Sequence, residues 1–199
     1  MKIFYFALLV VVMVFFNACA TSQVMTISQI DSFAIKPNKL SKIFSPPKDG
    51  YARLIMYRES DFRGWPLSYS ILIKYNPTFK DGKFADIDTK NMDRALCKMK
   101  NNSSCIVNIK AGKLVALTHW GMENKKDNAV LFRPRNKHIY CINISTVFGW
   151  LIGQFQFDFR DARTCLAEYR AMYEPEHRDY QKKWFDELVE KGDKRAYKE

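Results

Sequence analysis

Apolar and polar residues alternate with a period of two in most segments between residues 51 and 160. Such alternation is typical of β-strands that bury at least one face. Turn-forming residues, among them Asn76-Pro77 and Asn101-Asn102, separate the alternating segments. The pattern predicts a mainly β fold, a sandwich of seven to eight short strands. The segments with strand character are residues 51–60, 67–75, 94–100, 105–110, 113–121, 128–134, 137–145 and 150–159.

The periodicity changes after Asp161, where apolar residues recur at helical spacing until just before Pro175. A second helix is predicted over residues 176–191, followed by Gly192 as a C-terminal cap. The apolar stripe of the second helix consists of Tyr180, Trp184 and Leu188. Residues 161–199 are therefore predicted to form a helical extension of one or two helices after the sandwich.

The N-terminal segment has one charge, Lys2, followed by an apolar block over residues 3–16. A bilayer-spanning helix needs about 20 apolar residues, so this block is short for a span. A basic start and an apolar core are typical of a secretory signal. The turn to polar residues directly after Cys19 resembles a bacterial lipoprotein signal, in which cleavage leaves an acylated cysteine as the first residue. The alternative is an uncleaved anchor helix, since Phe16 and Asn17 depart from the signal's usual pattern.

These patterns divide the chain into four parts: a lipoprotein signal peptide (1–18), an acylated N-terminus and tether (19–49), a β-sandwich domain (50–160) and the helical extension (161–199). Several acyl chains on Cys19 would hold the protein at a lipid bilayer, which is its first predicted partner. Because Ala20, and not an aspartate, follows Cys19, we expect the outer membrane, on its periplasmic face. Exposure on the cell surface remains the alternative.

Four further cysteines, Cys97, Cys105, Cys141 and Cys165, follow Cys19. An even number in an oxidising compartment indicates two disulfides, for which three pairings exist. Cys97 and Cys105 flank a turn and would face each other across a β-hairpin, so their pairing is favoured. Cys141–Cys165 is then the second bond. The spacing does not fit a zinc site, because no CxxC pair occurs.

The net charge of +11 is distributed unevenly. From residue 174 to the end the charges nearly cancel, so the basic excess lies between residues 20 and 173. An exported protein rarely meets nucleic acid, which is therefore not expected as a partner. Anionic lipids, lipopolysaccharide phosphates or acidic cell-wall polymers are the favoured neighbours. Alternatively, the basic surface only keeps the protein soluble.

The strand that contains Gly50, Ala52, Tyr57 and Arg58 has the pattern G-x-A-x-x-x-x-Y-R. An Ala-Gly turn at residues 111–112 and a strand around Tyr140 follow it. Over residues 47–170 the chain is similar to a family of small bacterial lipoproteins, domain of unknown function 2846. The resemblance implies a β-sandwich of the transthyretin or immunoglobulin-like type, and it implies no enzymatic activity. The cysteine pairs and the C-terminal helix are departures from the family pattern.

Recognised catalytic patterns are missing from the sequence. It contains no GxSxG motif, no HxH or HxxxH pair and no glycine-rich phosphate loop, so no catalytic residue, metal site or cofactor is predicted. His119, beside Trp120 near a strand end, is the single histidine considered for ligand binding, although a structural histidine that is hydrogen-bonded to a neighbour at the strand edge is the favoured interpretation. The other candidate binding residues are Arg58, Phe62, Arg63 and Trp65, because exposed aromatic rings beside arginines suit recognition of a partner or carbohydrate. For Arg58, Glu59 and Asp61 a solvated turn is the favoured interpretation, and a polar site is the alternative.

The sequence favours a non-enzymatic, membrane-anchored envelope lipoprotein that binds or scaffolds other envelope components, including envelope proteins. A second hypothesis is an envelope hydrolase or ligand-binding enzyme that uses His119 with a nearby carboxylate. A third is a surface-exposed accessory that interacts with a host.

Overall fold

The computed structural model describes residues 30–39, 41–59, 68–80, 83–84, 87, 91–120, 129–148, 153–172 and 190. The predicted signal, Cys19, the aromatic turn at 62–65 and most of the second predicted helix lie outside these residues. The described chain comprises the β-sandwich, the segment that precedes it and the first helix of the extension.

Eight strands form two four-stranded sheets that enclose one core, which confirms the predicted mainly β sandwich. The strands are β1 (Tyr51–Arg58), β2 (Tyr69–Tyr75), β3 (Phe79–Lys80), β4 (Lys83–Phe84), β5 (Arg94–Met99), β6 (Ser103–Lys110), β7 (Val115–Trp120), β8 (Val130–Phe132), β9 (Ile139–Phe148) and β10 (Gly153–Arg160). The first sheet has the order β10-β9-β1-β6 and the second the order β5-β2-β7-β8. The two short strands β3 and β4 pair with each other.

Strand β1 lies in the middle of the first sheet and is buried on both faces. It pairs antiparallel with β6 and parallel with β9. Ala52, Leu54 and Met56 point into the core between the sheets. Ile55 and Tyr57 belong to a second apolar cluster on the opposite side of the strand. Two covered faces explain why apolar residues occur in both registers of this strand.

The predicted hairpin between residues 94 and 110 is wrong. Strands β5 and β6 follow one another in sequence, but they belong to different sheets. The turn between them includes Asn102 at φ +51°. The hydroxyl of Ser103 donates to the Lys100 carbonyl (2.7 Å) and accepts from the Lys100 amide (3.0 Å). The chain therefore crosses from one sheet to the other at this turn.

The segment before β1, predicted as part of a tether, packs against the folded domain in its described residues 30–39 and 41–48. Ile30 and Phe44 are fully buried. Ile35 exchanges two backbone hydrogen bonds with Ile139 at the start of β9, of 2.8 and 3.0 Å. The Arg53 guanidinium donates to the Ser45 carbonyl (2.8 Å). The packed domain thus already includes Ile30, twenty residues before the predicted boundary at residue 50.

The helix α1 (Ala162–Met172) confirms the first predicted C-terminal helix. The Asp161 carboxylate caps it by accepting from the amides of Arg163 (2.8 Å) and Thr164 (3.1 Å). Cys165 and Tyr169 pack into the second apolar cluster, against the outer side of the first sheet. This helix is therefore a layer of the domain and not a separate extension.

The strand directions define two ends of the sandwich. At one end β1, β5, β7 and β9 finish, while β2, β6 and β10 begin. We name it the Arg58 end, after the last residue of β1. At the opposite end β1 begins, and the turns 111–114 and 133–138 connect strands of the two sheets.

Candidate functional site

Arg58 and His119, two of the predicted binding residues, meet around one tyrosine at the Arg58 end. Tyr69 is the first residue of β2, and the Arg58 guanidinium carbon lies 5.6 Å from its ring centroid. The His119 ring stands edge-on to the same ring, with 6.0 Å between centroids and an interplanar angle of 82°. Residues 61 positions apart in sequence therefore flank a single aromatic ring.

Burial decides the protonation state of this cluster. It lowers the pKa of His119 to about 4, so the imidazole is neutral at pH 7. Burial also raises the pKa of the Tyr69 hydroxyl, an effect that the charge of Arg58 partly opposes. The fixed positive charge of the cluster thus resides on Arg58, and the two rings supply a π face and neutral hydrogen-bonding groups.

The interpretation of Arg58 as part of a solvated turn is wrong. Its side chain is only 1% exposed, because Arg58 is still within β1 at the edge of the core. Phe62, Arg63 and Trp65, which follow β1 in sequence, lie outside the described residues. The described part of the predicted site is thus Arg58 and His119, with Tyr69 as an addition that the sequence reasoning missed.

A second polar cluster joins α1 to the first sheet, around the carboxylate of Glu168. The Tyr57 hydroxyl donates to Glu168 Oε2. Asn143 Nδ2 and Arg160 Nε lie 3.4 Å from the same oxygen. Asn143 also donates to Glu59 Oε1 at 3.3 Å. Donors from β1, β9 and β10 thus share one acceptor, the Glu168 Oε2 atom of α1.

The Glu168 cluster holds the helix on the sheet. Burial, followed by the hydrogen bond to Glu168, raises the pKa of the Tyr57 hydroxyl far above its usual range. Tyr57 consequently remains a protonated donor at any physiological pH. Arg160 balances the charge of the carboxylate. The cluster suits a fixed structural contact more than proton transfer, because the pKa of its Tyr57 hydroxyl is shifted away from 7.

One sequence signal leads to this cluster once Cys141 and Cys165 are paired. Asn143 is two residues beyond Cys141 on the strand, a rise of about 7 Å. Glu168 is three residues beyond Cys165 on the helix, a rise of about 5 Å. The Asn143 and Glu168 side chains therefore lie on the same side of the disulfide and close together.

Both predicted disulfides are formed. Cys97 bonds to Cys105, with 6.6 Å between Cα atoms, and links the edge strands β5 and β6 of the two sheets. Cys141 bonds to Cys165, with 6.0 Å between Cα atoms, and joins β9 to α1. All four cysteines lie in the interior. The first bond closes one side of the sandwich and the second attaches the helix.

Within the described ranges, no three His, Cys, Asp or Glu side chains gather as metal ligands would. Nor does any helix in that part of the chain have the length and hydropathy to cross a membrane. No protein-family model matches the chain, and no curated protein matches its sequence. The similarity to a family of bacterial lipoproteins therefore stays a prediction from the sequence motifs.

Proposed function

We propose that this chain is an envelope lipoprotein, anchored through Cys19, whose β-sandwich binds or scaffolds envelope components without catalysis. The observation that carries the proposal is the pairing of the cysteines. Four of the five form two buried bonds, and Cys19 is the fifth. Structural disulfides belong to oxidising compartments, so they agree with export. The remaining cysteine occupies the position that a lipoprotein signal reserves for the acyl chains.

The Arg58 end is the proposed binding surface. There the buried Arg58 and Tyr69 are held by two packed sheets, and a segment containing Phe62, Arg63 and Trp65 follows Arg58 in sequence. A rigid scaffold that carries aromatic and arginine side chains at one end is typical of recognition surfaces.

The alternative of an envelope hydrolase is weaker on electrostatic grounds. A general base works best with a pKa near the operating pH. His119, with its pKa near 4, is neutral at pH 7 and a poor proton acceptor there. It also packs edge-on against Tyr69. These features suit a packed ring that shapes a binding surface.

Site-specific photocrosslinking in intact bacteria tests the binding surface. The full chain would carry p-benzoylphenylalanine at Ser68, an exposed residue directly before β2 at the Arg58 end. A second version would carry it at Arg163, an exposed position on α1. We expect Ser68 to give a crosslinked product of defined mass that Arg163 does not give. Identical products from both positions, or none from Ser68, would refute the Arg58 end as the binding surface.

A further inference from the structure

Three surface segments form a strongly basic face at the end of the sandwich opposite Arg58. We define this basic end as residues 48–50, 110–114 and 133–138, which precede β1, follow β6 and follow β8. Asp49 is its single carboxylate. Its six cations, all on exposed residues, are Lys48, Lys110, Lys113, Arg133, Arg135 and Lys137.

Backbone hydrogen bonds hold the three segments together. The Gly112 amide donates to the Pro134 carbonyl (2.8 Å), and the Ala111 amide donates to the Gly50 carbonyl (2.9 Å). The Gly50 amide donates to Asn136 Oδ1 (2.9 Å). The positive charges are therefore fixed on one surface by the fold, so little conformational entropy of the backbone is lost when that surface binds a flat anionic partner.

Few of these charges are neutralised internally. Lys137 pairs with Asp49 at 3.1 Å, and Arg135 pairs with Asp31 at 3.0 Å. The other four cations make no ion pair with a carboxylate of the described residues; they are Lys48, Lys110, Lys113 and Arg133. By contrast, acidic and basic residues balance in the sequences 60–67 and 121–128, which follow β1 and β7 in the chain. The basic end, with six cations and one carboxylate, thus carries a net charge of +5.

The N-terminal segment meets the domain at this same end. Ile35 forms backbone hydrogen bonds with Ile139 at the start of β9, and Asp31 forms a salt bridge with Arg135 of the basic end. Eleven residue steps separate Ile30 from Cys19, a distance of at most about 40 Å even when fully extended. The segment that follows the anchor at Cys19 therefore joins the domain at its basic end.

We propose that the basic end docks on the anionic phospholipid headgroups of the bilayer that holds Cys19, so that the Arg58 end faces away from the membrane. The inference rests on the lipid anchor of the proposed function. Acyl chains and a polybasic surface are two signals that together give stable membrane attachment. A phospholipid surface is favoured over an acidic polymer because the route from the anchor leads to this end.

Vesicle cosedimentation tests the docking surface without the anchor. The probe is residues 20–199, which retain every described residue, with vesicles of phosphatidylethanolamine and phosphatidylglycerol or of phosphatidylcholine alone. The test variant is K113E/R133E, at two exposed positions of the basic end, and the control is K98E/R170E, with the same change of charge on β5 and α1. Thermal denaturation establishes that each variant is folded.

We expect binding to phosphatidylglycerol vesicles that weakens as added salt shortens the Debye length to about 8 Å at 0.15 M. Each basic residue near an anionic bilayer contributes roughly a fivefold factor in affinity. K113E/R133E should therefore lower the affinity at least about 30-fold, and K98E/R170E should lower it far less. If K113E/R133E fails to fold, the salt dependence of vesicle binding by the unmodified chain still tests the proposal.

Three results would overturn the proposal: equal affinity for phosphatidylcholine, equal losses in both variants, or a loss of dextran sulfate binding in K113E/R133E with vesicle binding intact. The last result would assign the surface to an acidic polymer. A refutation of the proposed lipid anchor would be seen separately, as the absence of acyl chains on Cys19 in the full chain. The two failures are thus distinguishable.

Discussion

The disulfide between Cys97 and Cys105 is expected to stabilise the contact between the two sheets, and not a local hairpin. Its two cysteines lie on β5 and β6, which are edge strands of different sheets. Replacing both cysteines by alanine removes this link at the side of the sandwich where both sheets end. The backbone turn between the strands remains in the variant.

The free energy of unfolding that is lost with this disulfide follows from the length of the loop that the disulfide closes. The sequence separation of the two cysteines is 8 residues. For a loop of this length the chain-entropy model gives about 2.5 kcal/mol of stability at 25 °C. In a protein of this size such a change lowers the melting temperature by about 5–10 °C.

Urea denaturation of the unmodified chain and of C97A/C105A measures this free energy, and hydrogen exchange with mass spectrometry locates it. Because the bond spans the sheets, we expect protection to fall in both the β1–β6 and β2–β5 ladders. The β9–β10 ladder, at the far edge of the first sheet, should change least. Faster exchange confined to residues 100–102, or a cost below about 1 kcal/mol, would refute the inter-sheet role.

Three further changes test other parts of the structure. C141A/C165A is expected to lower the free energy of unfolding, measured by urea denaturation, by about 3.4 kcal/mol, because the Cys141–Cys165 bond spans 24 residues. Tyr57→Phe removes a buried hydrogen bond to a carboxylate and should cost about 2 kcal/mol in the same assay. Because the pKa of His119 is about 4 when folded and 6.5 when exposed, its neutral form stabilises the fold above pH 6.5. Unmodified protein should therefore lose on the order of 3 kcal/mol more than His119→Gln as the pH falls from 6.5 to about 4.

Each of these predictions has its own contradicting result. A smaller cost for C141A/C165A than for C97A/C105A would reverse the order set by loop length. Unchanged stability of Tyr57→Phe would show that Glu168 gains nothing from the tyrosine hydroxyl. Parallel curves of stability against pH for the unmodified chain and His119→Gln would show that the imidazole is not protected from protonation.

The sequence predicted strands well where burial imposes a clear period. Ala52, Leu54 and Met56 alternate with Ile55 and Tyr57, and both sets are buried as their apolar character indicates. The same alternation could not tell which strands pair. The turn after β5 marks the end of a strand equally well in a hairpin and in a crossing between sheets, so the hairpin was predicted where a crossing occurs.

The segment before β1 was missed for a different reason. Ile30, Ile35 and Phe44 are buried, but their spacing follows neither a helix nor a strand period. Such irregular segments are held by the surface they cover, here the outer side of the first sheet and the open edge of the core. Periodicity does not reveal them.

The candidate site was predicted only in part. Arg58 and His119 were selected for their chemistry, whereas Tyr69 was not, because its role depends on the pairing of β2 with β7. Arg58 was expected in a solvated turn. Its burial depends on two sheets packing together, and a sequence pattern does not show that contact. The Glu168 cluster depends likewise on the docking of α1, which a local pattern cannot specify.

The central claim is that Cys19 is the acylated first residue of the mature chain. Mass spectrometry of the N-terminal peptide, from full-length protein purified out of bacterial membranes, tests it directly. We expect a peptide that begins at Cys19 and carries acyl chains, and a Cys19→Ser variant that is neither cleaved there nor acylated. A peptide that begins at Met1, or an unmodified Cys19, would contradict this claim.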